Sequence, residues 1–101
     1  MTEVFVKKVN EIYQYIEIAG HSKFAIYGQD IVCSAISSIV FGTLNALVKY
    51  QLAESRIIIE SAFIRIELQK SDDIQLIADV MLVQLQTIQE SYPDYIRIEI
   101  N

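Results

Sequence analysis

The chain has few of the residues that cross-link a fold or hold a metal. It contains one cysteine, one histidine, one proline, three glycines and no tryptophan in 101 residues. A single cysteine cannot form an internal disulfide, which excludes the framework of a small secreted domain and favours a cytoplasmic location. One cysteine and one histidine cannot form a zinc site without carboxylates, and no spacing suggests one. The glycines form neither a phosphate loop nor a dinucleotide-binding pattern, so we expect no metal and no cofactor.

Basic residues are also scarce. Eight Lys and Arg face thirteen Asp and Glu, which gives a net charge of −5. This balance argues against a protein that binds nucleic-acid phosphates, but an acidic surface would attract a basic protein or peptide. The N-terminus lacks the basic and then apolar pattern of a signal peptide. Polar residues interrupt the longest apolar stretch, from Ile31 to Val48, so we expect no membrane span.

What the chain does have is apolar periodicity. Hydrophobic residues make up 52% of a chain of 101 residues, which predicts one globular domain, residues 1–101. Alternation of apolar and polar residues predicts two strands before residue 20, strand structure over residues 56–70, and a last strand over residues 95–100. Residues 56–70 fit either a hairpin that turns near Glu60–Ala62 or one long bent strand, because no Gly, Asn or Asp marks a tight turn.

Two helical stripes separate these strands. One runs from Asp30 to about Tyr50, and the other follows Ser-Asp-Asp at residues 71–73 and stops at Pro93. The resulting order, β-β-α-β-β-α-β, predicts an α+β fold with both helices packed on one face of a mostly antiparallel or mixed sheet. Three apolar residues widen the second stripe beyond what one sheet face needs, which hints at contact with a second copy: Leu76, Val80 and Val83.

One segment, GHSKFAIYGQDIVCSAIS at residues 20–37, holds the only histidine, the only cysteine and two of the glycines. If Asp30 is the N-cap, Cys33 is the third residue of the helix. The unpaired N–H groups and the positive end of the helix dipole favour a thiolate there. The alternative is that Cys33 is a small buried hydrophobic side chain, as most lone cysteines are.

The other polar residues of this segment also have two interpretations. His21 is either a base that reaches the thiol or a solvated loop residue. Asp30 is a helix cap, a group that orients His21, or both. Gly20 and Gly28 are either turn residues or hinges of a loop that closes over substrate. Together, the only histidine and the only cysteine flank a segment that ends at a helix start, an arrangement that could supply a nucleophile, a base and an oxyanion hole.

This segment resembles the signature of the ribosomal-processing cysteine protease family (Prp), a Gly-His pair followed by Gly-x-Asp-Ile-Val-Cys, a small residue and Ala-x-Ser. The matching residues are Gly20, His21, Gly28, Asp30, Ile31, Val32, Cys33, Ala35 and Ser37. The resemblance extends over the whole chain, including its length, its element order and the closing SYPDYIRIEI.

The resemblance implies a cysteine endopeptidase that works as a cytoplasmic homodimer. It implies removal of the N-terminal extension of bacterial large-subunit ribosomal protein twenty-seven, with hydrophobic and often aromatic residues next to the cut. Cys33 matches the nucleophile and His21 the catalytic histidine, and the segment between them is expected to order around the substrate peptide. Backbone N–H groups near Gly28 and Cys33 would then stabilise the oxyanion.

The chain departs from the family pattern at a few positions. Ser22 and Ser34 stand where alanine is commoner, and both changes are small. The sequence Glu-Ser-Ala-Phe at residues 60–63 lacks the glycine that the family often has before its fourth strand. Gly20, Ser22, Gly28 and Asp30 remain the candidates for the loop, oxyanion and substrate contacts.

A rival hypothesis comes from a different functional class. The chain could be a non-catalytic module that binds a ribosomal protein or a ribosome-assembly intermediate, with Cys33 serving only as packing. Thiol reactivity distinguishes the two, since a thiolate at a helix start alkylates readily and a core thiol does not.

Overall fold

The computed structural model describes residues 1–20 and 31–101. These residues form five β-strands, two α-helices and one short 3-10 helix, Glu54–Arg56. In chain order the main elements are β1 (Thr2–Val9), β2 (Ile12–Ala19), α1 (Ile31–Lys49), β3 (Ile57–Glu60), β4 (Phe63–Glu67), α2 (Asp72–Ser91) and β5 (Ile96–Ile100). The predicted order β-β-α-β-β-α-β is therefore confirmed, and residues 56–70 contain a hairpin and not one bent strand.

The strands form a single mixed sheet in the order β3-β4-β2-β1-β5. Only the β1–β5 pair is parallel among the described strands, and the other three pairs are antiparallel. A two-residue turn joins β1 to β2, and both of its residues, Asn10 and Glu11, have positive φ values of 51° and 66°. Positive φ at both central positions is the feature of the type I′ turn, whose twist matches that of the strands it connects.

A bulge in β2 interrupts the alternation of its side chains. Lys7 pairs with Tyr15 and Lys8 with Tyr13, which leaves Gln14 as an extra residue in β2. The extra residue reverses the side-chain direction on either side of it. Strict alternation of apolar and polar residues along residues 12–18 predicts that Ile12 shares a face with Ile16 and that Tyr13 lies on the other face, and the bulge shows that this prediction is wrong. Tyr13 is only 8% exposed and joins the core.

Both helices pack on one face of the sheet, as predicted. The residues paired across the central strands, such as Val4 with Ile18 and Ile16 with Ile66, are all buried on that face. Their partners on α1 are Val32, Ile36, Val40, Leu44 and Leu47, and those on α2 are Ile74, Ala78, Met81, Leu82 and Leu85. The opposite face of the sheet carries charged side chains such as Glu17 and Arg65.

Helix α1 is long and apolar enough to resemble a membrane span. An 18-residue window of this helix has a mean hydropathy of 2.0, so by length and composition alone the helix could cross a bilayer. The prediction that its polar residues exclude a span on composition was wrong. What identifies α1 as a core helix is its packing, because its row of apolar residues lies in the cluster that covers the sheet.

Candidate active site

Cys33 is the third residue of α1, because the helix begins at Ile31. The thiol therefore lies in the first turn, where backbone N–H groups have no partner within the helix and the helix dipole is positive. Val32 and Ile36 are 5% and 0% exposed, and they fix the rotation of this turn on the sheet. Cys33 lies beside them and is half-buried. The predicted position of the cysteine in the helix is thus confirmed, and its side chain is not part of the fully buried core.

Gly20 directly follows β2 and directly precedes His21 in the sequence. It has a φ of +88°, a conformation that side chains other than glycine rarely adopt. A Cβ atom at this position would come within 2.7 Å of the Met1 carbonyl oxygen. The Gly20 N–H donates a 2.9 Å hydrogen bond to the Ala62 carbonyl in the β3–β4 turn. Gly20 is therefore required by its backbone conformation and by the close approach of the N-terminus.

Of the predicted site residues, Gly20 and Cys33 lie within the described part of the chain. His21, Ser22, Gly28 and Asp30 lie outside it, between the end of β2 and the start of α1. The described elements still fix the two ends of this segment, because it follows Ala19 at the end of β2 and leads to Ile31 at the start of α1. Sequence reasoning missed the Ala62 contact, since nothing in Glu-Ser-Ala-Phe signals that this turn supports Gly20.

Helix α1 carries no charged residue over most of its length. From Ile31 to Val48 the helix has no charged residue, and its first turn has no acidic one. On the far face of the sheet, Arg65 pairs with Glu17 and with Glu67 and covers the Tyr15 ring at 4.0 Å. No described carboxylate on α1 therefore opposes a thiolate at Cys33.

No metal site competes with this interpretation in the described residues. Across residues 1–20 and 31–101, no three His, Cys, Asp or Glu side chains lie together in a way that could hold a metal ion. The chemistry available at the start of α1 is that of a thiol in the first helical turn, where backbone N–H groups have no partner within the helix. Such a group can attack a carbonyl carbon and stabilise the oxyanion that forms.

Known proteins are similar to this chain in sequence and fold. The family model described as cysteine protease Prp matches residues 1–97. The ribosomal processing cysteine protease Prp of Bacillus subtilis is 33% identical over 93 residues, which covers 84% of this chain and 83% of that protein.

Solved structures agree with the sequence match. The ribosomal processing protease Prp from S. aureus with a covalently linked product peptide superposes with a TM-score of 0.88 at 31% identity, and covers 100% of both chains. The same protease with a substrate peptide gives a TM-score of 0.82 at 30% identity, again over 100% of both chains. With its predicted cysteine at the start of α1 and the matching fold around it, the chain belongs to the Prp family of cysteine proteases.

Proposed function

We propose that this cysteine protease removes the N-terminal extension of bacterial large-subunit ribosomal protein twenty-seven, a step in ribosome maturation. The observation that carries the proposal is the position of Cys33 in the first turn of α1, within a fold that matches a peptide-bound ribosomal processing protease over its full length. The family assignment also removes the main support for the rival hypothesis of a non-catalytic binding module.

The proposed reaction uses Cys33 and His21. His21 takes the proton of Cys33, and the thiolate attacks the carbonyl carbon of the scissile peptide bond. Backbone N–H groups at the start of α1 stabilise the oxyanion, and the bond to the leaving amine breaks as His21 returns its proton. Water then hydrolyses the thioester, which releases the carboxylic acid and restores the thiol. No cofactor or metal takes part in this scheme.

The charge of the protein suits such a substrate. Ribosomal proteins contact RNA phosphates and are therefore commonly basic, whereas this chain carries a net charge of −5. Opposite net charges accelerate the encounter of two proteins. A chain with one cysteine cannot form an internal disulfide, which is consistent with work in the cytoplasm, where ribosomes are assembled.

We further propose that the protein works as a homodimer that associates through the outer faces of α1 and α2. Three large apolar side chains on α2 are exposed there: Leu76 by 63%, Val80 by 46% and Val83 by 53%. A cavity of about 450 Å³ lies between the helices, lined by small residues of α1 such as Gly42 and by Val80 of α2. A contiguous apolar surface of this kind is typical of an interface between subunits.

The test is incubation with the extended ribosomal protein, followed by mass spectrometry of the products. We expect one cut that releases the N-terminal extension, and loss of that cut in Cys33→Ala. The matched control is Ser34→Ala, which changes an exposed neighbour in the same helical turn to the residue commoner in the family. If Cys33→Ala cuts at the wild-type rate, the nucleophile assignment fails. If the wild type leaves the extension intact, the substrate assignment fails.

A further inference from the structure

Cys33 shares one side of α1 with residues much further along the helix. The positions Ser37, Phe41, Leu44 and Val48 follow Cys33 at steps of four, four, three and four, and such steps keep side chains on one side of a helix. The residues that face α2, such as Ile39 and Thr43, lie on the other side. The side of α1 that carries the nucleophile therefore faces away from α2.

Strand β3 lies beside the far end of this row. Leu44 and Val48 line a cavity of about 420 Å³ together with Ile57 and Ile59 of β3, and with Asn45 and Glu54 at its rim. Pockets of this size are large enough to take bulky side chains of a ligand. Since Ile59 is 55% exposed, the cavity opens to the surface.

β3 is an edge strand of the sheet in the described part of the chain. It pairs with β4 on one side only, which leaves the backbone groups of its other side available to a further strand. Ile57 and Ile59 pair with the buried residues Ile66 and Ile64, so they point to the face that carries the helices. Ile58 pairs with Arg65 and points to the opposite face. An added strand would thus place every second side chain over the cavity.

The turn at the end of β3 contacts the start of the catalytic segment. Ala62, in the turn between β3 and β4, accepts the hydrogen bond from the Gly20 N–H, and Gly20 immediately precedes His21. Because β3 runs parallel to β2, and α1 returns in the opposite direction, the start of α1 and the end of β3 lie at the same end of the sheet. The edge strand therefore leads from the cavity towards the proposed active site.

We propose that an extended segment of the substrate peptide adds to the open edge of β3 and inserts an apolar side chain into the cavity between α1 and β3. This inference rests on the proposed proteolytic function and adds a second recognition point to it. Leu44 is eleven positions after Cys33, a distance of about 16 Å along the helix axis at 1.5 Å per residue. An extended peptide spans that distance in about five residues.

A substrate peptide fits this groove better than a second copy of the chain does. The groove is on the side of α1 that carries Cys33, whereas the apolar surface of α2 lies beyond the other side of α1. Glu54 places a carboxylate at the rim, and among the described residues it forms no ion pair. A basic side chain next to the inserted apolar one would complement it.

The test compares two neighbouring isoleucines that point to opposite faces. Ile59→Ser removes an apolar wall of the cavity, and Ile58→Ser makes the same change on the opposite face, where the native side chain is 43% exposed. We expect kcat/KM for the ribosomal precursor peptide to fall about tenfold in Ile59→Ser, mainly through KM, and less than about twofold in Ile58→Ser. Thermal melting of both variants checks that they fold.

Substrate variants provide the second arm. We expect alanine replacements along the peptide to lower kcat/KM at one apolar position about five residues from the cut. The same replacement should lower kcat/KM less in Ile59→Ser, because the peptide side chain and Ile59 contact each other and their effects are not additive. Equal kinetics of the two isoleucine variants would overturn the proposal. A change of oligomeric state in Ile59→Ser, measured by light scattering, would also overturn it and assign β3 to a subunit interface. If the wild type cuts a different peptide and that cut depends on Ile59, the edge-strand site stands and the ribosomal substrate does not.

Discussion

Replacing Gly20 by alanine tests whether the start of the catalytic segment is fixed by backbone conformation. With a φ of +88°, an alanine here adopts the left-handed region, at a cost of about 1–2 kcal/mol. The added Cβ would also lie 2.7 Å from the Met1 carbonyl oxygen, a backbone atom that cannot rotate away. We therefore expect the free energy of unfolding to fall by at least about 2 kcal/mol. Because His21 is the next residue, cleavage should slow about tenfold or more.

The assay is urea denaturation followed by circular dichroism, together with initial rates of peptide cleavage. Gly42→Ala is the matched control, since its added Cβ meets no atom within 4 Å in the described part of the chain. In the middle of α1 that change should raise stability by about 0.5–1 kcal/mol, because alanine favours the helix over glycine. The two variants should thus move in opposite directions. Wild-type stability in Gly20→Ala would refute the assignment of strain to this position.

Three further predictions concern other parts of the molecule. Tyr13 donates a 2.6 Å hydrogen bond to Asp79, and burial, then this bond and the Asp79 charge, raise the pKa of Tyr13 from 10.0 to about 12. The folded state thus holds this proton more tightly than the unfolded state, so the free energy of unfolding should decline between about pH 10 and 12, by roughly 1–2 kcal/mol relative to Tyr13→Phe. Urea titrations at each pH measure this, and an equal pH dependence of stability in the two proteins would contradict it. Iodoacetamide should alkylate native Cys33 near neutral pH, at a rate that changes in His21→Ala, and an unreactive thiol would contradict the nucleophile role. Val80→Lys should convert the proposed dimer to monomer in sedimentation experiments, and an unchanged dimer would move the interface elsewhere.

Much of the fold follows from apolar periodicity. The positions of Val4, Ile18, Ile64 and Ile96 in alternating segments located the strands that cover the core, and all of them are buried. The apolar stripe predicted α1, and Asp30 as the expected N-cap placed Cys33 in its first turn. These features depend on which residues must leave water, and that requirement is written locally in the sequence.

Other features depend on contacts between distant segments. The bulge at Gln14 moves Tyr13 into the core, where its N–H and carbonyl bond to the Gln75 side chain of α2. The Ser61–Ala62 turn closes a hairpin without glycine. The support of Gly20 by Ala62 joins residues far apart in the chain. No local pattern encodes such pairs, so the sequence could place the candidate nucleophile but not the groove beside it.

The parallel pairing of β5 with β1 has a consequence for the order of events during synthesis. Thr2 donates a hydrogen bond to the Tyr95 carbonyl, and the Asn101 N–H donates one to the Val6 carbonyl, so β5 and its flanking residues, made after the other four strands, hold the first strand in place. Met1 in turn packs against Gly20, where the catalytic segment begins. Contacts of such long sequence separation form late and slowly. A nascent chain that lacks β5 therefore has its nucleophile but not the frame that holds it, and proteolytic activity should appear only after β5 has been made.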